Sequence, residues 1–119
     1  MRFLKILTPL LIPMMIFVQT ASGAVQAPEE LKAKADSQVK SASLVAAEAL
    51  NLIQGQTTPP KVKAALELYA RAGQLYENSY QIYVAVGPQY ANKDDVQNAY
   101  AAMQNCLNTI KELKKSLRP

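Results

Sequence analysis

Histidine and tryptophan are absent from this chain, and cysteine occurs once, at Cys106. Without an imidazole there is no Ser-His or Cys-His nucleophilic pair, no histidine metal site and no histidine ligand for haem. A single cysteine forms no disulfide within the chain, so stability has to come from packing. Cys106 falls midway along an apolar stripe, where a lone thiol reads as a small buried hydrophobe. Glycine is scarce as well, with four in the whole sequence, and no glycine-rich phosphate loop is present. Glu67 and Glu77 sit on one helix about 15 Å apart at 1.5 Å per residue, too far for a working carboxylate pair. Asn92-Lys93-Asp94-Asp95 lacks the ligand spacing of a calcium loop. These absences exclude the common catalytic constellations, and the chain reads as a protein that is not an enzyme and has no cofactor and no metal site.

What is present begins at the amino terminus. Arg2 and Lys5 precede an apolar run from Ile6 to Val18, followed by the small residues Ala21-Ser22-Gly23-Ala24. That order of basic, apolar and small residues is the layout of a secretory signal peptide, residues 1–24, with cleavage after Ala24. The apolar run is interrupted by Pro9 and Pro13 and falls short of the roughly 20 residues a membrane span requires. The expectation is an exported protein, periplasmic or extracellular, without a stable membrane span after cleavage. No cysteine follows the small residues to take an acyl chain.

Residues 25–119, 95 in number, suffice for one small domain. Loss of Arg2 and Lys5 reduces 13 basic residues to 11 against 9 acidic ones, a balance of +2. Most of these basic residues have an acidic neighbour, so the basic face that nucleic acid would need is missing.

Two clusters of turn residues, Gly55-Gln56-Thr57-Thr58-Pro59-Pro60 and Gly87-Pro88-Gln89-Tyr90-Ala91-Asn92, divide this region into three similar lengths. Each predicts one helix, over about 28–54, 59–86 and 93–117. Thr58 and Asn92 are candidate caps, Pro59 suits a first helical position, and Gly55 and Gly87 suit the left-handed stop. Asp94 and Asp95 complement the start of the third helix; Lys111, Lys114, Lys115 and Arg118 complement its end. Short connections make sequential helices antiparallel, so the fold class is all-α, an up-down-up bundle.

Helix one carries an alanine-rich stripe (Leu31, Ala35, Val39, Ala42, Val45, Ala46, Ala49, Leu52, Ile53) that permits close approach to a neighbour. Leu44 lies off this stripe. Glu30 with Lys34 and Asp36 with Lys40 are four-residue charge pairs on its outer face. Helix three gathers Val96, Ala99, Tyr100, Met103, Cys106, Leu107, Ile110, Leu113 and Leu117 into an arc of about 140° at 100° per residue. Helix two is apolar over about 200°, leaving a polar strip of Lys63, Glu67, Arg71, Gln74, Glu77, Asn78 and Gln81, which suits a central helix with two partners.

Four of the six tyrosines occur in fifteen residues of helix two. Tyr69, Tyr76, Tyr80 and Tyr83 form one edge of its apolar face, and Tyr90 follows in the next loop. Tyr69-x-x-Ala72-Gly73-x-x-Tyr76 is similar in spacing to the first helix of a tetratricopeptide repeat. The match covers barely half a repeat, and the required turn would fall near Tyr80 and Gln81, where nothing breaks the helix, so a true repeat is rejected. Tyrosine serves both cores and binding surfaces. The five tyrosines are taken as the candidate partner-binding residues of a helical binding or scaffold protein that acts through a protein partner or self-association. The alternative is a carrier or holdase-type chaperone that binds an apolar ligand or an unfolded chain in an interhelical groove.

Overall fold

The computed structural model describes residues 27–117, so the signal-peptide reading of residues 1–24 lies outside the described residues. Among the described residues there are three helices and no strand: α1 Pro28–Ile53, α2 Pro59–Val86 and α3 Lys93–Ser116. The turn chemistry accounts for these bounds. Asn92 accepts from the Asp95 amide at 2.8 Å while the Asp95 carboxylate accepts from the Asn92 amide at 3.1 Å, a reciprocal cap that opens α3. Gly87 closes α2 at φ +84°, where a side chain would be strained, and its amide donates to the Tyr83 carbonyl. At the end of α1 the left-handed residue is again glycine, Gly55. Gln54 has already left the helix there, and the Thr57 hydroxyl donates to the Ile53 carbonyl at 3.2 Å.

One cap differs from expectation. Thr58 precedes α2 in extended conformation, yet its side chain makes no capping bond. Pro59 and Pro60 fill the first two helical positions, and proline has no N–H, so two of the donors that a cap would serve do not exist. The prolines fix the helical start themselves.

α2 is the central element. Eleven of its residues are buried against three each in α1 and α3, and both of those helices pack on it. The α1–α2 seam has a seven-residue repeat on each side. Ala35, Ala42 and Ala49 of α1 are fully buried, as are Ala65, Ala72 and Ser79 of α2. Side chains this small let two backbones approach to the short end of the roughly 8–10 Å range of packed helices. The Ser79 hydroxyl measures that closeness: its oxygen lies 3.0 Å from the Ala35 carbonyl oxygen and 3.0 Å from that of Leu75 in its own helix. A serine hydroxyl reaches a carbonyl of the neighbouring backbone only when nothing larger stands between them.

A second seven-residue series on α2, Val62, Tyr69, Tyr76 and Tyr83, supplies the bulk that the alanines do not. On the α3 side Gly73 lies against Cys106: an added Cβ would meet the Cys106 Cβ at 3.4 Å. The buried side chains fall into two clusters. Tyr69, Tyr76, Met103 and Cys106 join the alanines of one, and Ala35, Ile82, Tyr83, Ala91 and Ala99 form the other. Ser79 lies on α2 between them, and the helix runs through it unbroken.

The polar strip of α2 is only partly solvated. Lys63, Glu67 and Arg71 are exposed, but Glu77 and Gln81 are buried, with the Gln81 amide nitrogen 3.4 Å from the Glu77 carboxylate. In α1 the charge pairing also departs from expectation. Asp36 pairs with Lys32 at 2.9 Å rather than with Lys40, and the Glu30 carboxylate accepts from the Ala27 amide at 3.3 Å. Asp36 is drawn toward α2 by a hydrogen bond described below. Leu44, off the apolar stripe, is 67% exposed.

The seam predicts a contrast. Ala42→Leu or Ala72→Leu forces the helices apart and costs about 1–3 kcal/mol or more, whereas Leu44→Ala changes stability by less than about 0.5 kcal/mol. Urea unfolding followed by helical circular dichroism measures both. Equal tolerance at Ala42 and Leu44 would mean that the seam is not closely packed.

Candidate partner surface

The five candidate tyrosines separate by environment. Tyr69 and Tyr76 are 8% exposed and Tyr83 is 3% exposed, so these three rings belong to the core. Seven-residue spacing turns all three toward the flanking helices. Tyr80 is half-buried, and Tyr90, in the loop before α3, is exposed. Tyr80 rests against Tyr100 of α3 with ring centroids 5.4 Å apart and planes tilted by 50°, an arrangement that suits the positive ring edges and negative faces.

Burying a phenol leaves its hydroxyl to be placed, and Tyr83 shows the solution most clearly. Its hydroxyl donates to the Asp36 carboxylate of α1 at 2.5 Å, a charge-assisted bond between helices. Lys32 holds the other oxygen of Asp36 at 2.9 Å and reaches Asp95 of α3 at 3.8 Å. The four residues therefore tie all three helices at one end of the molecule. Burial, and then the Asp36 hydrogen bond and the charges of Asp36 and Asp95, push the Tyr83 phenol far above its ordinary range. Burial alone would raise the Asp36 carboxyl, but the bonds from Tyr83 and Lys32 and the charge of Lys32 outweigh it and hold it below its ordinary value of 3.8. The hydrogen bond to Asp36 and the two carboxylate charges raise the Lys32 ammonium against a smaller lowering by burial. Burial, with a contribution from Cys106, raises Tyr69 and Tyr76 as well. The Cys106 thiol is pushed up to about 11 by burial, which keeps it protonated and unreactive at neutral pH.

The apolar surface that stays open lies beside Tyr80. Val84, one turn further on, is 54% exposed and Tyr100 is 46% exposed. Next to Val84 a cleft of about 380 Å³ opens between the end of α2 and the start of α3. Tyr83, Val84, Gly87, Pro88, Ala91 and Val96 line it, with Lys93 and Gln97 also at its walls. The kink at Gly87 and the turn bonds from the Tyr90 and Ala91 amides to the Gly87 carbonyl shape this cleft. The helical pattern placed Tyr100 on the buried side of α3. It occupies the extreme margin of that arc, so its ring leans out to meet Tyr80. That marginal position was the available signal for its exposure.

Among the described residues no group of histidine, cysteine and carboxylate side chains is placed to hold a metal ion. Glu67 is exposed and Glu77 buried, so the two carboxylates share no environment. No helix among the described residues is long and apolar enough to cross a membrane.

The interhelical tie has a pH signature. Asp36 titrates below its ordinary value when folded, so its contribution is complete above about pH 4 and is lost as pH falls through the depressed value. Asp36→Asn should therefore flatten the decline of the thermal midpoint on acidification. Tyr83→Phe should cost about 1 kcal/mol at neutral pH, since a charge-assisted bond is worth somewhat more but the Asp36 side chain is 45% exposed and screened. An acid limb of the same steepness in Asp36→Asn would remove Asp36 from the tie.

Comparison of this chain with protein families, with curated proteins and with solved structures finds no match.

Proposed function

We propose that this chain is a small exported helical binding or scaffold protein, periplasmic or extracellular, that acts through contact with a protein partner or through self-association and not by catalysis. In this reading the leader is removed, and residues 25–119 form a single up-down-up domain. The supporting observation is the open apolar edge formed by Tyr80, Val84 and Tyr100 beside the α2–α3 cleft. Exposed aromatic side chains next to an apolar concavity are the usual anchors of a protein contact.

Of the five tyrosines, Tyr80 and Tyr90 are the ones that reach a partner directly. Tyr69, Tyr76 and Tyr83 act beneath them as the packed support that fixes where the exposed edge stands. Val84 and Tyr100 complete the surface. Lys93 places a positive charge beside the cleft, which favours a partner with an acidic residue near its apolar anchor.

Light scattering on the mature chain, with pull-down from the exported fraction of the source cell, tests the reading. Val84→Glu and Tyr100→Ser should abolish assembly or partner capture by tenfold or more while helical content is unchanged. Tyr76→Ala, by contrast, should lose folding stability by about 3–5 kcal/mol, as expected for deleting a buried aromatic ring. Unaltered association in both surface variants, with folding intact, would refute the assignment of this edge.

The cleft's lining also favours a second reading, a carrier or holdase that takes an apolar ligand or unfolded segment there. That reading expects a fluorescent apolar probe to bind without loss of helicity and Val84→Glu to prevent it. Probe binding that Val84→Glu leaves untouched would dismiss the cleft as a carrier site.

A further inference from the structure

We draw no further inference here: the strongest candidate, the apolar cleft between the end of α2 and the start of α3 lined by Val84, Pro88 and Val96, belongs to the surface already described, and nothing in the structure shows what covers it.

Discussion

The close approach of α1 to α2 is the constraint on which the rest of this structure depends. Ala35, Ala42 and Ala49 face Ala65, Ala72 and Ser79 with no accessible surface left between the helices. Each methyl contributes only about 0.8 kcal/mol on leaving water, against about 1.5–3 kcal/mol for a large apolar side chain. The alanines therefore matter less for the apolar area they bury than for the proximity they allow. Proximity brings two backbones into dispersion contact and places the Ser79 hydroxyl on the Ala35 carbonyl. It also fixes register, because sliding α1 by one turn would set Leu31 or Val39 where Ala35 lies against Ser79, and those side chains are too large for so close a contact.

With α1 pressed onto one part of the α2 surface, bulk has to be found elsewhere. The tyrosine series provides it, and its polar tips are reconciled with burial through the margins of the bundle. Tyr83 spends its hydroxyl on Asp36, and Asp36 shares Lys32 with Asp95. Sequence position makes this economical: Lys32 and Asp36 are one turn apart on α1, and Asp95 already sits in the first turn of α3, where it completes the Asn92 cap. One carboxylate thus opens a helix and helps to hold another helix to it. Tyr80 follows a different course, leaning away from that tie onto Tyr100, and this leaves aromatic surface facing outward.

Much of the fold was legible because the punctuation has local causes. Gly55 and Gly87 adopt positive φ for reasons contained in glycine itself, the prolines at 59 and 60 begin a helix by their own ring geometry, and Asn92 with Asp95 closes a cap over three residues. The helices accordingly end within one residue of the expected places. The width of the apolar arc on α2 was legible too, and so was its central role. What periodicity does not carry is which neighbour covers which part of the arc. Tyr69, Tyr76 and Tyr83 could not be told from Tyr80 by helical angle alone, since all four share one edge; their burial follows from where α1 and α3 come to rest. Ser79, a polar residue in the middle of α2, gave no sign of its partner forty-four residues away. The seven-residue recurrence of small side chains in both α1 and α2 was the overlooked clue, because a matched period on two helices points to a shared seam.

Ser79 also marks the level on α2 where the two parts of the interior meet. On one side lie Tyr69, Tyr76, Met103 and Cys106 with Ala42, Ala49, Ala65 and Ala72; on the other lie Ala35, Ile82, Tyr83, Ala91 and Ala99. Val39 packs against both clusters, so the end bearing the Tyr83–Asp36–Lys32 tie is continuous with the middle of the bundle. The aromatic edge thus stands on a continuous interior, and a shift at the tie would be felt beyond the end of the molecule where it sits.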